Sequence, residues 1–292
     1  MSSGYVPPKL LEGCQHLLVD QPLPHVRRLT LDRPDKANAL NNELKGQLLE
    51  ALYLADQDPE IRVVVVRGKG RNFCAGYDMT MDRSQPQPVS VQGGDGQFQR
   101  GAVEMWTKVW DLGVPVITQV HGYAVGGGSE LAVGAADLVF CTKDCRIGYP
   151  PVRAMGLPDF HYFTWFMPPR ASLLMLLTGD TVSGAEAVDL GLCNAPAVDT
   201  VQQLEELVLG IAARVAKIPK DLQRLNKRAF HRQMEHKGIR QALRCHTDLQ
   251  VVSMYTETSK KKMGEFSQGD GTKAREAFKK RDEPFEDNKA RL

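Results

Sequence analysis

Long apolar runs are missing from this chain. None of its 292 residues falls in a stretch near the roughly 18 uninterrupted apolar positions that a membrane-crossing helix needs. Cysteine is scarce and scattered: Cys14, Cys74, Cys141, Cys145, Cys193 and Cys245 form neither a CxxC pair nor a secreted-domain disulfide framework. A reducing compartment is expected. Cys141 and Cys145 lack two further clustered ligands, so no metal site is expected. Met1 to Pro8 lacks the basic and apolar regions of a secretory leader, and a protein that is not secreted is expected. Charge of one sign is also lacking, since 37 Lys and Arg stand against 35 Asp and Glu for a net +2. That balance disfavours a nucleic-acid partner, and the run Lys260-Lys261-Lys262 reads as a solvated helix face. What is present is ordinary: 42% hydrophobic residues, 26 glycines and 17 prolines, enough to bury a sizeable core and too regular for a disordered chain.

Along the chain, His16 to Asp20 and Val26 to Asp32 read as two short strands around Gln21-Pro22-Leu23-Pro24. A helix is expected from Asn41 or Asn42, with an Asn cap and an apolar face of Leu44, Leu48, Leu49, Leu52 and Leu54. Ile61 to Val66 reads as a strand buried on both faces, so strand, helix and strand form a parallel unit. Residues 82–99, rich in Gln, Pro and Gly, read as a mobile insertion. A helix over Ala102 to Leu112 and strands at Val114 to Val120 and Asp137 to Thr142 follow. From Pro168 onward the pattern is helical: Ala171 to Leu177, Gly184 to Leu190, Val201 to Lys217, Lys220 to Glu235, Ile239 to Thr256 and Lys273 to Arg281. With no repeat and no linker, the chain reads as one α/β core with a helical C-terminal extension.

Two segments share a logic. Phe73-Cys74-Ala75-Gly76-Tyr77-Asp78 and Val125-Gly126-Gly127-Gly128-Ser129-Glu130 each run from a strand into a glycine corner. Brought together, two such corners can aim two backbone N–H groups at one oxygen, the geometry of an oxyanion hole. Neither is a GxGxxG dinucleotide fingerprint or a P-loop, so no nucleotide cofactor is expected.

These segments, together with Arg33-Pro34-Asp35-Lys36-Ala37-Asn38-Ala39-Leu40, His121 to Ala132, Thr178-Gly179-Asp180 leading to Ala185 to Leu192, and Ala277-Phe278-Lys279-Lys280-Arg281, resemble in order and spacing the crotonase superfamily of enoyl-CoA hydratases and isomerases. The resemblance covers about residues 15–287. It implies a spiral core of repeated ββα units (15–200), a helical oligomerisation and lid region (201–287), and assembly as homotrimers or pairs of trimers (hexamers). It also implies an acyl-CoA thioester as substrate and no cofactor beyond that CoA, while the near-neutral charge and the lack of long apolar runs speak against a nucleic-acid or a membrane partner. By motif the enolate-holding amides fall on Tyr77 and Gly127, the CoA contacts on Lys36, Ala37, Arg71, Ala75 and Gly76, and the catalytic carboxylate on Glu130.

The sequence departs from the family pattern in one decisive place. Family hydratases carry a second glutamate after a Phe-Gly-x-Pro-like turn, and here that turn reads Ile147-Gly148-Tyr149-Pro150-Pro151. Proline can neither give nor take a proton. Asp159 and His161, just beyond, are the candidates for a second acid/base, with a surface loop as the competing expectation. His121, Tyr149 and the Tyr77 hydroxyl are weaker candidates, and Arg153 is a candidate anion-binding group. Glu130 to Asp137 runs one residue longer than usual, which predicts a bulged helix.

With one carboxylate, a proton-shift isomerisation is easier to explain than hydration. A CoA-thioester-binding homologue with little turnover is the alternative. Ala290-Arg291-Leu292, ending the tail 288–292, fits the small-basic-leucine peroxisomal address. It implies a peroxisomal import receptor in a eukaryote and β-oxidation or specialised (siderophore or toxin) metabolism. Without that address a cytoplasmic location is expected.

Overall fold

The two short strands expected are Leu17–Leu23 (β2) and Val26–Leu31 (β3), and they form an antiparallel hairpin that turns through His25 in the left-handed region at φ 65°. The structure, a computed structural model, describes residues 6–10, 15–79, 97–267 and 271–285. Val6–Leu10 (β1) adds an antiparallel strand outside β2. Inside β3 the pairing becomes parallel, through Val63–Gly68 (β4), Val116–Val120 (β5) and Leu138–Cys141 (β7), giving one six-stranded sheet in the order β1-β2-β3-β4-β5-β7. The crossover between β3 and β4 is Asn42–Gln57 (α1), whose cap is Asn41: its side chain accepts from Leu44 N at 2.8 Å. Most of the expected insertion at 82–99 lies outside the described residues. Its last three residues do not belong to it, because helix α2 spans Gln97–Asp111 and starts five residues earlier than its apolar pattern suggests.

A second, smaller sheet was not legible in the sequence. Tyr123–Val125 (β6), Arg146–Gly148 (β8) and Thr181–Ser183 (β9) form it, and single bridges from Leu40 to Tyr77 and from Cys74 to Ala124 extend its line. Strands of three residues carry too little alternation to read. Each turn of the chain therefore places one strand in the large sheet, a short one in the small sheet, and then a helix. The turn β5, β6, α3 (Gly127–Ser129) shows this ββα unit, and α3 continues into a π-helical turn over Glu130–Ala135. The extra residue counted between Glu130 and Asp137 is that widened turn. Its loosened carbonyls find side chains: Thr118 Oγ1 donates to Ala132 O at 2.6 Å and Trp110 Nε1 to Gly134 O at 3.0 Å.

Phe163–Phe166 (α4), Pro169–Thr178 (α5) and Gly184–Asp189 (α6) follow, α6 opening on a capping box of Ser183 and Glu186. The large sheet is buried on both faces, as the Ile61 to Val66 run implies. Val64 and Val66 point into the main core, whereas Val63, Val65, Val26 and Ile117 meet Leu204, Val208 and Ala212 of Val201–Val215 (α7). α7 thus covers the back of the sheet. Lys220–His236 (α8) and Ile239–Met254 (α9) pack against α2, and Glu257–Ser267 (α10) and Gly271–Asp282 (α11) complete the described chain. The helix expected over Ile239 to Thr256 ends at Met254, and α10 is separate from it.

The join between the C-terminal helices and the core is ionic and buried. Asp137, directly after the π-helical turn, accepts from Val116 N (2.7 Å), Lys227 Nζ (2.7 Å) and His231 Nε2 (2.9 Å). Burial pushes the Asp137 carboxyl up, but Lys227 and His231 outweigh it and hold the group below its usual range.

Candidate active site

The two glycine corners meet. At Gly76 (φ 101°) a Cβ would lie 2.9 Å from Val125 O and 3.4 Å from Gly127 N, and at Gly128 it would lie 2.2 Å from Cys74 O. Only glycine allows this approach. Backbone bonds fix the chain on both sides of each corner: Leu40 N donates to Gly76 O (2.8 Å), Asp78 N to Leu40 O (3.0 Å), and Gly126 N to Gly148 O (3.0 Å). The amides of Tyr77 and Gly127 take part in none of the backbone bonds that join these corners.

Beneath the corners lies Glu130, with no solvent exposure. Its Oε1 accepts from Phe160 N at 2.9 Å; its Oε2 accepts from the Tyr77 hydroxyl at 2.6 Å and from Trp106 Nε1 at 3.3 Å. Trp106 Nε1 also donates to the Tyr77 hydroxyl at 3.1 Å. Desolvation, then the charge of Asp159, push the Glu130 carboxyl up to about 8, against the pull of these three donors. A group titrating there can give or take a proton near neutral pH. Trp106 escaped the sequence reading, because a tryptophan on a helical stripe looks like any core residue.

Asp159 lies half-buried in the bend that leads to α4. Its amide donates to the Tyr149 hydroxyl at 3.4 Å, its Oδ1 accepts from Gln250 Nε2 of α9 at 2.9 Å, and its charge acts on Glu130, Tyr77, Tyr149 and Lys45. Phe160, fully buried against Trp110 at 5.6 Å between ring centres, anchors the segment. His161 instead packs against His246 (4.5 Å) and Phe163 (6.4 Å), and burial pulls its pKa down. Pro151 does stand at the corner: its Cγ lies 3.5 Å from where a Gly126 Cβ would be.

The remaining sequence candidates separate cleanly. Ala37 O accepts from Ala75 N at 3.0 Å, which joins the Lys36-Ala37 turn to the first glycine corner; Lys36, Arg71 and Ala75 are exposed beside it and Gly76 is buried. His121 Nε2 bonds Gly70 O at 2.9 Å in a structural role. Arg153 is not free to bind an anion, since it is clamped to Asp180 (2.8 Å), Asp282 (3.0 Å) and Thr178 O (2.8 Å). Among the described residues no cluster of His, Cys, Asp or Glu could hold a metal, and the five described cysteines are free thiols.

Two glycine corners thus close over a fully buried carboxyl group that burial raises into the neutral range. The family profile described as Enoyl-CoA hydratase/isomerase matches residues 24–288, and the chain belongs to that family, within the crotonase superfamily. Carnitinyl-CoA dehydratase of Proteus mirabilis is 33% identical over 193 residues, covering 64% of this chain and 71% of its own. (E)-benzylidenesuccinyl-CoA hydratase of Thauera aromatica is 33% identical over 202 residues, covering 66% and 73%. Among solved structures, an enoyl-CoA hydratase from Mycobacterium smegmatis superposes with a TM-score of 0.84 at 26% identity over 95% of this chain and 97% of that one. An enoyl-CoA hydratase/isomerase from Xanthobacter autotrophicus Py2 superposes at 0.82, with 26% identity over 93% and 99%. The chain is thus an enzyme of the enoyl-CoA hydratase/isomerase family, and the relatives named here are called hydratases and dehydratases.

Proposed function

We propose that this enzyme adds water to, or eliminates it from, an acyl-CoA thioester through an enolate, with Glu130 and Asp159 as the acid/base pair. The observation that carries this reading is the bond from Phe160 N to Glu130 Oε1 at 2.9 Å, which sets the preceding residue, Asp159, beside the buried carboxyl group, where its charge helps to raise Glu130. Asp159 offers a second carboxylate from a position eight residues beyond Pro151. Two neighbouring carboxyl groups can serve as acid and base in one cycle. The amides of Tyr77 and Gly127 hold the thioester oxygen, and Lys36, Ala37, Arg71, Ala75 and Gly76 form the CoA edge. Asp159 takes precedence over His161, whose contacts are with His246 and Phe163. No cofactor beyond the CoA of the substrate enters this scheme. The dehydratase and hydratase names of the relatives favour it over proton-shift isomerisation, which needs one base alone.

The test is a panel of 2-enoyl-, 3-enoyl- and 3-hydroxyacyl-CoA thioesters in deuterated water. Interconversion of 2-enoyl and 3-hydroxyacyl thioesters with one deuterium at C2 is expected, and Asp159→Asn should slow it by about 100-fold or more. Double-bond migration without water addition would replace hydration by isomerisation. Binding without turnover would favour the thioester-binding alternative that Pro151 suggests.

The exposed apolar residues of α8 and α9, including Leu225 (65%), Phe230 (57%), Leu249 (61%) and Val252 (63%), support self-association as a homotrimer or hexamer. Sedimentation at micromolar concentration should give a trimer or larger mass; a monomer would overturn this. The peroxisomal expectation gains no support: Ala290-Arg291-Leu292 lies outside the described residues and the relatives named above are bacterial. No described helix is long and apolar enough to cross a membrane.

A further inference from the structure

We propose that the Tyr77 phenol is itself a catalytic residue, carrying the proton between Glu130 and the substrate, with Trp106 as its positioning residue. The inference rests on the acyl-CoA reading of the site and deepens it, since the family pattern uses only the backbone amide at this position.

The geometry leaves Glu130 no direct path to a substrate. Its Oε1 is covered by Phe160 N and its Oε2 by Tyr77 and Trp106; Glu130, Phe160 and Trp106 all have no exposure. Of the three residues that touch the carboxyl group, Tyr77 alone is only partly buried. Its ring lies across the second glycine corner, where a Cβ on Gly127 would be 2.7 Å from both Cε2 and Cζ. The hydroxyl-bearing end of the ring is therefore next to the amide proposed to hold the thioester oxygen. A proton leaving the carbon beside that oxygen meets the phenol before it can meet the carboxylate.

The step balances without any other reactant. As the C–H bond of the substrate breaks, its electron pair stays on the substrate as the enolate and its proton goes to the Tyr77 oxygen. The phenol's own proton moves to Glu130 Oε2 at the same time. In the return direction the Glu130 O–H donates to Tyr77, and Tyr77 delivers its proton to carbon, while Asp159 serves the hydroxyl that leaves or adds. An O···O separation of 2.6 Å serves both directions. Trp106 Nε1 lies within bonding distance of both oxygens, so its donation holds through the exchange and keeps them in line.

The phenol is held neutral at rest. Burial and the charges of Glu130 and Asp159 push Tyr77 well above its ordinary range, so the two transfers are concerted and no phenolate accumulates. The other titratable groups around the ring are Tyr149 and Lys45, whose Nζ lies 5.5 Å from the ring centre. Gly127 behind the ring and Lys45 over it fix its plane.

Tyr77→Phe should lower kcat by about 100-fold or more while leaving thioester affinity within about threefold. A wall or anchoring role would give a similar loss, so the deciding measurement replaces Tyr77 with 3,5-difluorotyrosine, which keeps shape and hydrogen bonds and makes the phenol more acidic. The basic limb of the kcat–pH curve should move down by at least about one pH unit, and the wild-type proton inventory in mixed H2O and D2O should be curved, becoming linear in Tyr77→Phe. A difluorotyrosine enzyme whose pH curve superimposes on wild type overturns the relay. So does full activity of Tyr77→Phe while Glu130→Gln is inactive, which leaves the reading of the site standing. Full activity of both variants overturns the relay and that reading together.

Discussion

Glu130→Gln is expected to lose turnover by about 1,000-fold or more, with CoA-thioester affinity within about threefold of wild type. The substitution removes the proton-transfer group and keeps its size. It should also change how stability depends on pH. In the folded protein burial pushes Glu130 up to about 8 from an ordinary value of 4.5, so across that window the native state holds a proton that the unfolded chain has released. Stability is therefore fully present below the unfolded value and falls as pH rises, by about 1.4 kcal/mol per pH unit from this one group, with no further loss above about 8. Glu130→Gln lacks that slope. Urea unfolding at three pH values inside the window should show the variant gaining on wild type as pH rises. Parallel stability curves would mean that burial does not raise Glu130 in the folded protein.

Lys227→Met should produce the largest loss of stability, about 3–5 kcal/mol, because it removes one partner of a buried ion pair and leaves the other behind. Lys227 Nζ donates to Asp137 Oδ2 (2.7 Å) and to the carbonyls of Val109 and Val114 (3.0 Å each). It thereby ties α8 to the end of α2, to the start of β5 and to the residue that closes the π-helical turn. His231 still bonds Asp137 Oδ1 at 2.9 Å, stacked on Trp110 at 5.4 Å. Adding Asp137→Asn to Lys227→Met should recover part of the loss, since a neutral amide is cheaper to bury than an unpaired carboxylate. A single variant within about 1 kcal/mol of wild type would show that the join is not held by charge.

The role proposed for Asp159 would let an enzyme of this family carry proline at residue 151. Asp159 precedes Phe160, whose amide bonds Glu130 and whose ring packs on Trp110, and α9 holds the segment through Gln250 and His246, whose Nε2 bonds Pro158 O at 3.0 Å. The C-terminal helices are thereby joined to the segment beside Glu130, a link that their sequence does not advertise.

What the sequence determined by itself was local or ordered by motif. The β-branched run at Ile61 to Val66, the Asn41 cap and the helical character of the C-terminal third follow from local pattern, capping and composition, which act over a few residues. The glycine corners were legible because close backbone approach demands glycine, and the widened turn after Glu130 because one surplus residue must bulge a helix. The tertiary structure alone decided the rest: the three-residue strands of the second sheet, Trp106 as a donor, Arg153 as a clamp and not an anion site, and Asp159 as the neighbour of Glu130. Each depends on contacts between residues separated by tens of positions or more. A side chain's charge state and partner are set by what burial brings against it, and no period in the chain records that.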